Sequence, residues 1–194
     1  MFVKICGVRD PAAVEAAVEA GADALGFNLV PGVRRQVTPE SARSLGERAR
    51  GRLRVGVFRG QPADEVVALA EAAGVDAVQV YEEETARSLR GRFRVLLAWD
   101  GVGPPPLAAA DLVLCDPGGG GLGEAWNWSS VRGLPVVLAG GLTPENVVAA
   151  LAAAHPLGVD VSSGVETAGS KDPAKIRAFC MKVRGWAADG IAAG

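Results

Sequence analysis

The sequence predicts an α/β fold, a single (β/α)8 TIM barrel over residues 1–194, and three observations carry that expectation. Short apolar or β-branched runs recur every 20 to 25 residues or about that, the rhythm of strand–helix units. Ala- and Glu-rich stretches with helical spacing separate most of these runs. Glycine-rich turns cluster late, after the sixth, seventh and eighth runs, which is where a barrel usually builds a phosphate site. An open dinucleotide-binding sheet would instead place a GxGxxG turn after its first strand, where this chain has Cys6-Gly7-Val8-Arg9.

In chain order, Phe2 to Cys6 reads as strand one, and Pro11 to Glu19 as the first helix. Asp10 before Pro11 gives that helix a polar cap and a first residue with a preset φ. The same signature opens helices at Thr38-Pro39 (to Arg50), Gln61-Pro62 (to Ala73), Thr143-Pro144 (to Ala153) and Asp172-Pro173 (to Val183). Gly21 and Gly74 follow helices where a left-handed turn is wanted. The remaining strands are expected at Ala24 to Leu29, Leu53 to Phe58, Ala77 to Val80, Phe93 to Ala98, Leu112 to Cys115, Pro135 to Ala139 and Gly158 to Val161. Between the fifth and sixth, Gly101 to Pro106 is too rich in glycine and proline to leave much room for a helix.

The bulk properties narrow the function. With 49% apolar residues, 22% charged residues and a net charge of -2, the chain reads as an ordinary soluble globular protein. That balance gives no electrostatic reason to expect nucleic acid or an anionic membrane as partner. The Arg-rich stretch from Arg43 to Arg54 alternates with Leu, Gly and Ala and reads as a solvated helix end. Cys6, Cys115 and Cys180 are odd in number and lack CxxC spacing, so neither a disulfide framework nor a zinc site is expected. The N-terminus runs straight into a strand, and no apolar run reaches the roughly 18 residues of a membrane span. A cytoplasmic protein is the expectation.

Active sites of (β/α)8 barrels are assembled from strand C-termini and the loops after them. Cys6 ends strand one beside a glycine, where a thiolate could act as base if positive charge or hydrogen bonds lower its pKa; a buried structural cysteine is the alternative. Asp116 closes the sixth strand, where burial can raise a carboxyl enough for acid work, or where it can simply cap the Pro117-Gly118 turn. Gly140-Gly141 and Ser162-Ser163-Gly164 follow strands seven and eight, and Asp160 lies within strand eight. Exposed N–H groups at these two loops could share a phosphate. Arg34 and Arg35 follow strand two, where an Arg could hold a carboxylate bidentately. Gln79 and Tyr81 end strand four. Gly118 to Gly123, before Trp126, Asn127 and Trp128, could form a lid. His155, the only histidine, falls on the opposite barrel face, and no His/Cys/carboxylate cluster suggests a metal.

Four segments carry a family resemblance. They are Lys4-Ile5-Cys6-Gly7; Leu25-Gly26-Phe27 with Arg35 to Glu40; Leu138 to Val147, reading LAGGLTPENV; and Val159 to Glu166, reading VDVSSGVE, with Gly169 and Lys171-Asp172. In this order and spacing the chain resembles the phosphoribosylanthranilate isomerases of tryptophan biosynthesis, nearly end to end. The resemblance implies an Amadori rearrangement of N-(5-phosphoribosyl)anthranilate without a cofactor. It makes Asp116 the general acid at the ring oxygen and Cys6 the base at C2′. Arg35 would bind the anthranilate carboxylate, and Gly140-Gly141 with Ser162 to Gly164 the phosphate; Asp160 joins the substrate-binding set. The expected partner is a small phosphorylated substrate, and the chain a monomer or homodimer.

The sequence departs from the family pattern at several points. VQLHG stands here as Val78-Gln79-Val80-Tyr81-Glu82, and the lid motif carries Leu122 and Asn127 in place of threonine and aspartate. Val33 replaces the serine two residues before Arg35. Two other readings stay open: a related phosphate-binding barrel with a changed substrate, and a barrel that binds a phosphorylated ligand without turnover. An epimerase would call for metal-binding histidines, and an indole-glycerol-phosphate synthase for lysines at strand ends.

Overall fold

The structure, a computed structural model, describes residues 1–118 and 126–192. Eight parallel strands close on themselves in sequence order. They are β1 (Phe2–Cys6), β2 (Ala24–Asn28), β3 (Leu53–Val57), β4 (Ala77–Val80), β5 (Arg94–Trp99), β6 (Leu112–Cys115), β7 (Val137–Leu138) and β8 (Gly158–Val161). The helices between them are α1 (Pro11–Glu19), α2 (Pro39–Arg48), α3 (Ala63–Ala73), α4 (Glu83–Leu89) and α5 (Val147–Ala154). A short antiparallel hairpin, β9 (Glu166–Thr167) and β10 (Ser170–Lys171), precedes α6 (Pro173–Ala192).

Alternation along the strands divides the interior in two. Ala24, Val55, Ala77, Leu96, Leu114 and Val137 form one cluster inside the barrel, and a larger cluster packs the outer strand faces against the helices. Because successive side chains point to opposite faces, Phe2, Lys4 and Cys6 share the inner face of β1. The inner rows of neighbouring strands rise from apolar residues to polar ones at the C-terminal mouth.

The caps explain which helix starts were legible. Asp10 and Thr38 accept hydrogen bonds from Ala13 N and Ser41 N, as their spacing predicts. Gln61 does not cap α3; its amide is buried and bonds Leu29 O at 3.2 Å and Arg59 N at 2.9 Å, so the helix starts after Pro62. Likewise α5 starts at Val147 instead of Pro144, because Asn146 accepts from Thr143 N and donates to Gly141 O, closing a turn there. Between β5 and β6 there is no helix, as the prolines imply. After β6, the described residues before β7 include a 3-10 turn at Trp128–Val131. The α4 helix was not anticipated, and α6 runs beyond Val183. No helix among the described residues is long and apolar enough to cross a membrane.

Candidate active site

The inner face of β1 and β8 is charged. Lys4 and Asp160 are cross-strand partners, and Lys4 Nζ donates to Asp160 Oδ1 at 2.9 Å with no part of the lysine exposed. A buried ammonium without a partner would be lost to desolvation, so the carboxylate is what keeps it there. Burial pushes the Lys4 titration down, but Asp160 and then Cys6 outweigh it and hold the side chain firmly protonated. Asp160, expected on the substrate, thus has the buried lysine as its direct partner, while still flooring a cleft at the mouth.

Cys6 sits one inward step above Lys4. Gly26 opposite it has no side chain, and a Cβ there would lie 2.9 Å from Cys6 Sγ and 3.3 Å from Lys4 Cε. The thiol and the lysine stem therefore fill the same notch. Burial pushes the Cys6 thiol above its ordinary value; Lys4 and Lys171 pull it down and Asp160 pushes it up, and the net shift is upward. Positive charge does stand near this cysteine, but burial outweighs it. Cys115 and Cys180 are buried in the larger core cluster on the outer strand faces, with thiols raised to about 12 and about 11.

Asp116 follows β6, its backbone N–H donating to Trp99 O at 2.8 Å. A Cβ on Gly140 would meet Asp116 Oδ1 at 3.1 Å and Trp126 Nε1 at 3.0 Å, so this glycine, at φ +78, makes room for the carboxylate. Trp126 is tied down through Nε1 to Ala139 O at 2.9 Å. Apart from Gly118, the expected lid Gly118 to Gly123 lies outside the described residues.

Gly140, Gly141, Ser162 and Ser163 line a small cleft with Asp116 and Asp160, so the loops after β7 and β8 do converge. Gly164 lies behind it: a Cβ there would collide with the Leu142 carbonyl oxygen. Ser162 Oγ donates to Cys6 O at 3.2 Å, joining the β8 loop to the end of β1.

A larger cleft of 310 Å³ opens on the other side of Asp116, walled by Arg59, Tyr81, Trp99 and Pro106. Arg59 lies 4.7 Å over the Tyr81 ring, a favourable cation–π distance. Burial, followed by the charges of Cys6 and Asp116, pushes the Tyr81 phenol up. Tyr81 and Arg59 also border a third cleft of 100 Å³ with Arg34 and Arg35. Gln79 is buried, and its Oε1 has no hydrogen-bond partner among the described residues.

Arg35 already has a partner inside the protein. Its guanidinium is half-occupied by a protein carboxylate, with Nε at 2.7 Å from Glu166 Oε1 and Nη2 at 3.2 Å from Glu166 Oε2. Lys171 and Arg34 bind the same carboxylate at 2.8 Å and 2.7 Å. Burial raises the Glu166 carboxyl, but Arg35, Lys171 and Arg34 outweigh it and hold it down to about 2. Lys4, Glu166, Lys171 and Arg59 were missed as site residues. Lys4, Glu166 and Lys171 each stand within a family segment, and that was their only signal. Among the described residues no group of three or more His, Cys, Asp or Glu could hold a metal, and His155 caps α5 at the far end of the barrel.

A closed barrel with a thiol and a carboxyl at its mouth, glycine loops at one side and arginines at the other defines a class: an enzyme barrel for proton transfer on an anionic ligand. The family model described as N-(5'phosphoribosyl)anthranilate (PRA) isomerase matches residues 3–182. The chain is 43% identical to the N-(5'-phosphoribosyl)anthranilate isomerase of Desulforudis audaxviator, over 94% of this chain and 98% of that one. The crystal structure of the phosphoribosyl anthranilate isomerase from Thermus thermophilus superposes with a TM-score of 0.87 at 38% identity, covering 95% and 99% of the two chains. A phosphoribosyl anthranilate isomerase in complex with reduced 1-(o-carboxyphenylamino)-1-deoxyribulose 5-phosphate gives a TM-score of 0.78 at 32% identity, over 95% and 99%. The chain belongs to the N-(5'-phosphoribosyl)anthranilate isomerase family.

Proposed function

We propose that this chain catalyses the Amadori rearrangement of N-(5-phosphoribosyl)anthranilate to 1-(2-carboxyphenylamino)-1-deoxyribulose 5-phosphate, as a cytoplasmic enzyme of tryptophan biosynthesis. Asp116 protonates the furanose ring oxygen, the bond from C1′ to that oxygen breaks, and a Schiff base forms. Cys6, as thiolate, takes the C2′ proton to give the enolamine, which tautomerises to the ketose. Gly140, Gly141, Ser162 and Ser163 hold the phosphate through exposed donors, Gly164 lets their loops meet, and Arg35 meets the ring carboxylate. Asp160 anchors Lys4 beneath the thiol. Every step moves protons between the substrate and Asp116 or Cys6 or within the substrate, with no net oxidation, so no cofactor is required. One chain supplies all of these groups, which suits a monomer or a homodimer.

The observation that carries this reading is the placement of Cys6 and Asp116 at inner strand ends, with the β7 and β8 loops between them. The test follows the fluorescence of phosphoribosylanthranilate in the presence of the purified protein. Consumption by the wild type, lost in Cys6→Ala and in Asp116→Ala, is the expected result. A folded wild type that binds the reduced product analogue without turnover would favour the silent binder. Turnover of a different phosphorylated amine would point to Tyr81 and Arg59 as having changed the substrate.

A further inference from the structure

The densest set of charges outside the acid–thiol pair lies on the β9–β10 hairpin. Glu166 on β9 is only 7% exposed at its side chain, and its cationic neighbours Lys171 and Arg35 are 1% and 13% exposed. Charges this deep persist together only when each is paired. The hairpin is itself pinned, because Arg9 and Arg34 both donate to Gly169 O, at 3.1 Å and 2.7 Å. From the other side, Arg35 lies flat across Gly7, where a Cβ would come within 2.6 Å of Arg35 Cδ. The arginine is therefore fixed at its stem by a missing side chain next to Cys6, and at its head by Glu166. The two bonds from Arg35 use its Nε–H and one Nη2–H, which leaves three N–H donors, two on Nη1 and one on Nη2, for a ligand at the cleft shared with Tyr81 and Arg59.

We propose that Glu166 is a positioning residue for substrate recognition: it holds the Arg35 guanidinium so that its remaining N–H donors are preset for the carboxylate of the substrate's aromatic ring. This rests on the reading of Arg35 given above. Lys171 and Arg34 saturate the rest of the Glu166 carboxylate, so the anchor is not drawn off by the incoming ligand. They also leave the cluster net positive, which opposes repulsion between Glu166 and the substrate. An arginine already oriented loses less freedom when it binds.

The test compares two ligands on wild type, Glu166→Gln and Arg35→Met by titration calorimetry. One ligand is the reduced product analogue; the other is the same compound without the ring carboxylate. Wild type should prefer the carboxylate-bearing ligand, and Arg35→Met should erase the preference. Glu166→Gln should cut it roughly tenfold, the scale on which misplacing a binding group acts, while affinity for the ligand without carboxylate stays within about twofold. In turnover, KM should rise more than kcat falls. If wild type and Arg35→Met treat the two ligands alike, the Arg35 reading fails. If Arg35→Met erases the preference and Glu166→Gln keeps it, Glu166 is merely structural and the proposal is overturned. Should the glutamine variant fail to fold, Glu166→Asp keeps the charge beside Lys171 but withdraws it from the arginine by one methylene. An intact ligand preference in that variant would equally overturn the proposal.

Discussion

The two sides of the barrel interior are built from opposite chemistry. From β2 to β7 the inner row is Ala24, Val55, Ala77, Leu96, Leu114 and Val137, all apolar and almost wholly buried. On β1 and β8 the inner face carries Lys4, wholly buried, and Asp160, 8% exposed at the mouth, joined by an ion pair. The apolar arc is ordinary core, which derives its stability from removing surface from water. The charged arc gains little net stability, because desolvation offsets its attraction. Its position directly beneath Cys6 gives it another use: it sets the charge around the proposed base.

The largest expected effect separates chemistry from core most sharply. Cys6→Ser and Asp116→Asn should each reduce kcat/KM by about a hundredfold or more, the usual loss with a proton-transfer group. Tm should barely move in either. Near-normal rates in either variant would end the assigned mechanism. Next comes Lys4→Met, which leaves Asp160 buried and unpaired and should cost about 3 to 5 kcal/mol of stability. Because the ammonium opposes the upward push on the Cys6 thiol, its removal should move the Cys6 titration in the kcat/KM profile to still higher pH. A titration that stays where it is, in a folded variant, would show that the charged arc does not govern Cys6.

On the apolar arc, Leu96→Ala should cost about 2 to 5 kcal/mol by denaturant unfolding through the cavity it leaves, with the pH profile of activity unmoved. A shifted profile would mean that the two arcs are not independent. The smallest effect is expected at low pH. The Glu166 carboxyl lies at about 2 in the folded chain against an ordinary 4.5. Its ionised form therefore adds stability everywhere above about 4.5, and loses that contribution as pH falls from there through about 2. The stability difference between wild type and Glu166→Gln should shrink across that window; a constant difference would show that the charge is not the source.

How much of this was legible in the sequence depended on the range of the interaction. Strand order and the caps at Asp10 and Thr38 are local, and so they could be read directly. Thr143-Pro144 and Gln61-Pro62 carry the same signature, yet their helices begin later because Asn146 and Gln61 bond the backbone elsewhere. That Cys6 and Asp116 stand at the barrel mouth was legible because strand ends are local and a barrel brings them to one face. The Lys4–Asp160 pair joins residues 156 positions apart, and the Arg35–Glu166 pair residues 131 apart. No local pattern announces either. The upward shift of Cys6 was equally hidden, since it depends on burial, which only the closed barrel creates.

The contact between Gly164 and the Leu142 carbonyl bears on how this barrel can be re-engineered. With no space for even a methyl group between them, the loops after β7 and β8 have a single shared wall. Neither can be replaced by a loop from another barrel while its neighbour keeps its present shape. They form one unit of exchange, and a graft intended to change the phosphorylated ligand has to carry both.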